Sequence, residues 1–323
     1  MSLSPALGDE RSVRLSAGTV RYRERGAGRP VVFVHGFLTN ADLWRGVAPP
    51  LAAAGYRCVA PDWPLGSHTV GMDRDADLSP PAIAALIAEF LEALGLSDVV
   101  LVGNDTGGAL AQMVAARHPE RLGALVLTPC DAFSNFPAWW SKPLRPIGRS
   151  PALMWLVGQP LRLRAVQRLP LVYGWVVKRH PPRAIAAGWV RPGLRDAAVR
   201  RDFGKAFAAT RASQTLEAAR RLPEFGKPAM VVWSRERTRI YPLAHARRLA
   251  ELLNARLELV DDAYIYVPED QPERLASLIA DFAAGAAEPA GAAKPAGAAE
   301  PTGAAEPAGA APTASTAGAA RAG

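Results

Sequence analysis

Cysteine and long hydrophobic runs are the two features that this sequence has least of. Its 323 residues include only Cys58 and Cys130. Each ends a short apolar run, which predicts two buried free thiols in a reducing compartment. No apolar run reaches the ~18 residues that cross a bilayer, and the first thirty residues contain no apolar segment typical of a secretory signal. We therefore expect a cytoplasmic protein without a membrane span.

Histidine is also scarce, and its five positions form no cluster with cysteine at the spacing of a metal site. We expect neither a metal nor another cofactor.

Acidic residues are scarce in one part of the chain only. Residues 133–221 contain 14 Arg and 3 Lys against Asp196, Asp202 and Glu217, a net charge of +14 in a chain that carries +8. Such a segment can bind nucleic acid, an anionic membrane or an anionic substrate. No nucleic-acid-binding motif accompanies it, so we expect no nucleic-acid partner and favour a solvated, arginine-rich surface.

Hydrophobic residues make up 49% of the chain, which is ample for a large core. Their periodicity alternates between that of strands and that of helices. After a hairpin at residues 12–24, the pattern predicts strands at 31–34, 56–60, 99–102 and 122–127 and helices at 42–54, 79–94 and 109–117. This alternation is typical of an α/β fold, a mostly parallel sheet with helices on both faces.

The alternation stops at residue 132 and resumes at residue 224. The intervening residues 132–223 are helical in pattern, rich in proline and tryptophan, and predict an inserted helical cap. Strands at 229–233 and 256–260 and helices at 242–254 and 272–282 complete a core that comprises residues 1–131 and 224–282. Residues 283–323 carry a six-residue Ala/Gly/Pro-rich repeat and predict a disordered tail, because such a segment cannot bury enough apolar surface to offset its ordering entropy.

One motif stands between a predicted strand and a predicted helix. Gly103-Asn104-Asp105-Thr106-Gly107 has the Gly-x-x-x-Gly spacing of a nucleophile elbow, with Asp105 at its centre. A carboxylate has a reference pKa of ~3.9 and is already a nucleophile at neutral pH, so Asp105 can attack an electrophilic carbon without help from a base. The simpler interpretation is that Asp105 caps the helix.

Together with His35-Gly36-Phe37 after the first parallel strand and His118-Pro119-Glu120-Arg121 at a helix end, this motif resembles the α/β-hydrolase fold superfamily across residues 12–282. An aspartate at the nucleophile position and an inserted cap are similar to haloalkane dehalogenases and epoxide hydrolases. The resemblance implies that the backbone N–H groups of Phe37 and Thr106 form an oxyanion hole, with His35 and Gly36 in the same loop.

The sequence departs from this family at the other catalytic positions. The histidine that normally activates water is absent near Tyr264-Ile265, and among the remaining histidines only His68 lies on a loop at the carboxyl end of a predicted strand. No aspartate follows Trp233, where the triad acid is usual. Asp131 matches an alternative acid position, or else caps a turn that opens the cap.

The residues that the resemblance assigns to leaving-group binding also differ. Thr106 replaces the halide-binding tryptophan, Phe37 replaces an asparagine, and Tyr173 is the only tyrosine in the predicted cap. We therefore predict a hydrolase that acts on a small, largely apolar organic molecule through Asp105, with Asp131 and His68 as candidate partners. The alternative is a catalytically silent homologue that binds a small ligand.

Overall fold

The computed structural model describes residues 4–236 and 239–286. In these residues eight strands form one sheet, namely β1 (Asp9–Leu15), β2 (Gly18–Arg25), β3 (Arg29–Val34), β4 (Tyr56–Pro61), β5 (Val99–Asp105), β6 (Leu122–Cys130), β7 (Ala229–Ser234) and β8 (Arg256–Val260). Their order is β1-β2-β4-β3-β5-β6-β7-β8. β1 and β2 are antiparallel to their neighbours, and all other pairs are parallel.

The described helices follow the strands in the order expected for crossover connections. They are α1 (Ala48–Ala53), α2 (Pro80–Ala93), α3 (Thr106–Arg117), α4 (Pro151–Gly158), α5 (Arg164–Gln167), α6 (Arg183–Arg195), α7 (Ala197–Ala208), α8 (Ala212–Arg221), α9 (Leu243–Leu253), α10 (Val267–Asp270) and α11 (Pro272–Gly285). Short 3-10 turns occupy Pro5–Leu7, Ala41–Trp44, Lys142–Arg149, Gln159–Arg162 and Leu222–Phe225, and a π-turn occupies Pro170–Gly174. None of the helices in this part of the chain combines the length and the apolar character that a membrane span requires.

The predicted α/β class and the mostly parallel sheet are confirmed. The central strands are apolar on both faces because helices cover both sides of a parallel sheet, and Val31, Val100 and Val126 on three adjacent strands are fully buried. Cys58 and Cys130 are buried free thiols, as the sequence predicts. Cys58 lies within β4, and Cys130 is the last residue of β6.

Two predicted boundaries differ from the structure. The helix expected over residues 42–54 is divided into the turn Ala41–Trp44 and α1, because Pro49 lies in the first turn of α1 and cannot continue a preceding helix. The last helix, α11, continues to Gly285, and Ala283 within it is fully buried. The remainder of the predicted tail, residues 287–323, lies outside the described residues.

The helical insertion between β6 and β7 contains α4 to α8 and covers the carboxyl edge of the sheet. It packs on loops that leave this edge. Tyr173 donates a hydrogen bond of 2.7 Å from its hydroxyl to the carbonyl oxygen of Leu38, and the ring of Phe37 packs edge-on against Phe203 and Phe207 of α7. The division of the chain into a separate core and cap domain stays a prediction.

Candidate active site

Asp105 stands at the junction of β5 and α3 in a backbone conformation that few residues adopt. Its φ is 55° and its ψ is −132°, outside the conformations that an L-residue adopts without strain. The turn is this tight because α3 approaches β3 closely. A Cβ atom on Gly107 would lie 2.2 Å from the carbonyl oxygen of Val34, so only glycine fits there. The Asp105 side chain makes no capping hydrogen bond at the start of α3.

The carboxylate of Asp105 lies against the loop that follows β3. A Cβ atom on Gly36 would be 2.2 Å from Asp105 Oδ2, so the absence of a side chain at position 36 makes room for the carboxylate. The other oxygen, Oδ1, accepts a hydrogen bond of 2.5 Å from the hydroxyl of Tyr241. Burial raises the pKa of Asp105 to about 6, although the Tyr241 hydroxyl and the N–H of Thr106 both favour its ionised form.

Asp131 lies beside Asp105, immediately after β6. Its Oδ2 accepts a hydrogen bond of 3.1 Å from the hydroxyl of Thr106, and its Oδ1 has no hydrogen-bond partner among the described residues. Gln112 donates a hydrogen bond of 2.9 Å to the backbone carbonyl of Asp131 and fixes the main chain. Burial and the neighbouring charge of Asp105 raise the pKa of Asp131 well above its usual value. The structure therefore brings together Asp105, Thr106 and Asp131, as the sequence predicts.

Tyr241 is the residue of this group that sequence reasoning missed. It lies in the loop between β7 and α9, and its hydroxyl donates a hydrogen bond to Asp105. Burial and the charges of Asp105 and Asp131 raise the pKa of Tyr241 well above its usual value, so the hydroxyl lies near both carboxyl groups. The resemblance to the α/β-hydrolase superfamily implies a triad acid in the loop after β7. This was the one sequence signal that pointed to the loop that contains Tyr241.

The loop after β8 contains no histidine, and it presents a second tyrosine. The side chain of Ile265 is fully buried, and its carbonyl oxygen accepts a hydrogen bond of 2.9 Å from Asn104 of the elbow. The next residue, Tyr266, lines the cavity above Asp105. Burial and the charge of Asp105 raise the pKa of Tyr266, and its hydroxyl makes no hydrogen bond to any described residue.

His35 forms two hydrogen bonds that connect the predicted oxyanion loop to the loop after β4. Its Nε2 accepts a hydrogen bond of 2.9 Å from the backbone N–H of Trp63, so Nδ1 carries the proton and donates it to the carbonyl oxygen of Gly36 at 2.9 Å. Burial lowers the pKa of His35 to about 4. A neutral, doubly hydrogen-bonded imidazole holds Gly36 and Phe37 in place rather than taking part in proton transfer.

His68 is paired with a carboxylate of the helical insertion and does not line the cavity. Its Nε2 lies 3.2 Å from Asp202 Oδ2 on α7, and the same carboxylate accepts a hydrogen bond of 2.7 Å from the N–H of Met72. Both side chains are buried. His68 is not among the described residues that line the cavity around Asp105, so the structure does not bring it to the other predicted site residues.

A cavity of about 520 Å³ opens above Asp105 between the sheet edge and the helical insertion. Its wall is mostly aliphatic and aromatic, and Phe37, Thr106 and Asp131 contribute to it beside Asp105. Trp140 and Trp189 also belong to this wall, and their indole N–H groups are buried without a partner among the described residues. No histidine from the described part of the chain contributes to this wall. The cavity suits a small apolar molecule that meets a few polar groups at one end.

Known proteins resemble this chain in sequence and in fold. The chain is 27% identical over 279 residues to haloalkane dehalogenase 2 of Mycobacterium bovis, which covers 82% of this chain and 92% of that relative. It is 38% identical over 103 residues to an epoxide hydrolase of Caballeronia sordidicola, a match that spans only 31% of that relative. A solved structure of a haloalkane dehalogenase loop variant from Bradyrhizobium elkanii has a TM-score of 0.70 at 20% identity and covers 86% of this chain and 97% of that chain.

The likeness to the solved structure concerns the fold. The family assignment rests on a model of the alpha/beta hydrolase fold family that matches residues 29–272. This range runs from the first parallel strand to the start of α11, and it includes Asp105, the loop after β3 and the helical insertion. The chain therefore belongs to the α/β hydrolase fold family.

Proposed function

We propose that the protein hydrolyses small, largely apolar molecules and that Asp105 is its nucleophile. The observation that carries this proposal is the placement of Asp105, which is held in a strained turn at the polar end of an apolar cavity of about 520 Å³. Strain of this kind persists only where the surrounding structure enforces it, and it is typical of functional positions. The relatives named as dehalogenase and epoxide hydrolase support the same reaction class.

The site contains a carboxyl group, Asp131, that can donate a proton, and this favours a substrate whose leaving group is an oxygen atom. Displacement of a halide needs no proton, whereas an opened epoxide becomes an alkoxide that must receive one. Asp131 supplies that proton, since burial and the charge of Asp105 raise its pKa well above the usual value and so favour its protonated form. Tyr266, which lines the cavity, offers its hydroxyl to the same oxygen. We therefore infer that epoxides are the substrate class.

In the first step one oxygen of Asp105 attacks an epoxide carbon. The carbon–oxygen bond of the ring breaks, its electron pair goes to the ring oxygen, and an ester of Asp105 forms. The alkoxide takes a proton from the Tyr241 hydroxyl, which is replaced by the proton of Asp131. Esterification removes the negative charge of Asp105. Because that charge favours the protonated form of Asp131, proton transfer from Asp131 becomes easier as the ester bond forms.

In the second step water attacks the ester carbonyl carbon of Asp105. The N–H groups of Phe37 and Thr106 stabilise the oxyanion, and the water proton passes to the Asp131 carboxylate by way of the Tyr241 hydroxyl. Collapse of the tetrahedral intermediate breaks the ester carbon–oxygen bond, and the departing alkoxide takes the proton of the newly formed Asp105 carboxyl, so a diol leaves and the Asp105 carboxylate is restored. Asp131 thus acts as acid and then as base, which is how the site works without the histidine that other family members use.

The second candidate function is ligand binding without turnover. It is favoured by one observation, that no histidine of the described residues lines the cavity. In that case the protein is a silent homologue, and the apolar cavity holds a small ligand. The two candidates differ in whether a product appears and whether Asp105 is required for it.

The test uses the purified full chain with a panel of small apolar epoxides, alkyl halides and esters, and chromatography with mass spectrometry detects the products. We expect diols from epoxides, no diol from Asp105→Asn, and unchanged turnover in the matched control Asp75→Asn, which alters an exposed aspartate far from the cavity. Binding of the panel without any product would establish the second candidate instead.

A further inference from the structure

The helical insertion exposes an unusual amount of large apolar surface. Of the ten exposed large hydrophobic residues in the described chain, all but Leu216 lie between Trp139 and Leu171. No residue of α4 is buried. We call the following residues the cap face: Leu153, Trp155, Leu156, Val157, Leu163 and Leu169, each more than 40% exposed. These residues come from consecutive elements that pack against one another and from the connectors between them. Together they expose a large amount of apolar side chain, a feature that marks an interaction site.

The charge around this surface has one sign. Residues 132–195 contain nine Arg and two Lys but no acidic residue. Within the described chain, Lys178 and Arg179 form ion pairs with acidic residues of other segments, whereas Arg149, Arg162 and Arg168 are exposed and enter no ion pair with a described residue. A second copy of this positively charged surface would be repelled by it, whereas an anionic surface would be attracted.

A second depression beside the cap face is suited to an anion. It has a volume of about 250 Å³, its wall includes Arg162, Arg164, Arg183 and Arg195, and none of the described residues that line it is acidic. Leu161 and Leu194 belong to its wall and also to the wall of the large cavity. Guanidinium groups bind phosphate oxygens in a bidentate manner. The depression therefore offers a phosphate site next to an apolar surface.

We propose that the cap face docks on an anionic phospholipid bilayer, with lipid phosphates in the arginine-lined depression. The apolar side chains then enter the acyl boundary, while the arginines stay at the level of the headgroups. Three residues connect this surface to the large cavity, because Leu144, Val157 and Leu171 are exposed and also line the cavity wall. A docked cap therefore presents an apolar entrance to the membrane, through which a lipid-dissolved molecule reaches Asp105.

Co-sedimentation of the full chain with vesicles tests the docking without any need for turnover. The vesicles are phosphatidylcholine alone or phosphatidylcholine mixed with phosphatidylglycerol. We expect binding to the mixed vesicles that weakens as salt rises toward ~1 M, where the Debye length falls to ~3 Å. We also expect a blue shift of tryptophan fluorescence that is reduced in Trp155→Phe.

Two sets of variants separate the apolar and the charged contributions. Leu156→Asp combined with Leu163→Asp should abolish sedimentation, whereas the matched control Leu216→Asp, which changes an exposed leucine outside the cap face, should not. Arg162→Gln combined with Arg183→Gln should weaken binding by about fivefold for each arginine, and Arg74→Gln, an exposed arginine outside the insertion, should leave it unchanged.

Three results would overturn the proposal. The first is a lack of binding to the mixed vesicles at low salt, and the second is an equal loss in Leu216→Asp and in the Leu156/Leu163 pair. The third is a dimer in solution that the Leu156/Leu163 pair dissociates, which would assign the cap face to contact between copies of this chain. Because none of these readouts depends on catalysis, failure of docking and failure of the proposed hydrolase activity are distinguishable.

Discussion

Replacing Asp105 with asparagine should abolish turnover and at the same time make the protein more stable. Asparagine keeps the shape of the side chain and can still accept the hydrogen bond from Tyr241, but it cannot form an ester with the substrate. The carboxylate that it replaces is buried, and burial raises its pKa from 3.8 to about 6. The folded protein therefore carries an unfavourable charge whenever Asp105 is ionised.

The size of this effect follows from the pKa. One pH unit corresponds to about 1.4 kcal/mol, so the ionised Asp105 lowers the free energy of unfolding by at most about 3 kcal/mol near pH 8. Because Asp105 faces a cavity that solvent can enter, we expect a gain of about 1–3 kcal/mol in the variant. The folded state binds the Asp105 proton more tightly than the unfolded state. The gain should therefore shrink as the pH falls through about 6 and should vanish near pH 4.

Urea unfolding of both proteins near pH 8 and near pH 4 measures this difference, with Asp75→Asn as the control at an exposed position. The expected result is a gain for Asp105→Asn at the higher pH alone, together with complete loss of epoxide turnover. Equal stability at both pH values would show that burial does not perturb Asp105. Full turnover in Asp105→Asn would refute the assignment of Asp105 as the nucleophile.

Three further predictions concern the groups around Asp105. The value of kcat/KM should rise with pH through about 6, because only the ionised Asp105 attacks carbon; a flat profile from pH 5 to 8 would contradict this. Tyr241→Phe should lower kcat by about 100-fold or more and should move the acid limb of the profile to higher pH, since the lost hydrogen bond no longer favours ionised Asp105. His68→Ala should lower the free energy of unfolding by about 1–3 kcal/mol, because the contact with Asp202 is lost. Mass spectra of this variant should show no accumulation of the Asp105 ester. Accumulation of the ester would show that His68 takes part in its hydrolysis.

The sheet and the elbow were predictable from sequence because they depend on local patterns. Short runs of β-branched residues such as Val99–Val102 are typical of buried strands. A glycine on each side of Asp105 is required by the close approach of α3 to its neighbours. Asp131 was predictable for a related reason, since it follows a parallel strand, and the carboxyl ends of adjacent parallel strands meet at one edge of the sheet.

The remaining contacts depend on distant parts of the chain, which no local pattern encodes. Tyr241 meets Asp105 across 136 positions of sequence, from a loop whose own residues show no periodicity. His68 follows a strand, as a catalytic residue of this family would, but an aspartate 134 positions away on α7 binds it. Which polar residues at the sheet edge face the cavity is thus decided by the packing of the insertion.

The fate of oxygen during a single turnover tests the central claim most directly. The full chain in excess over an epoxide is incubated in heavy-oxygen water, digested, and mapped by mass spectrometry. If water attacks the ester of Asp105, the heavy oxygen appears in the peptide that contains Asp105, and the first diol released contains only ordinary oxygen. Heavy oxygen in the first diol, with none in that peptide, would mean that water attacks the substrate directly and that Asp105 is not the nucleophile.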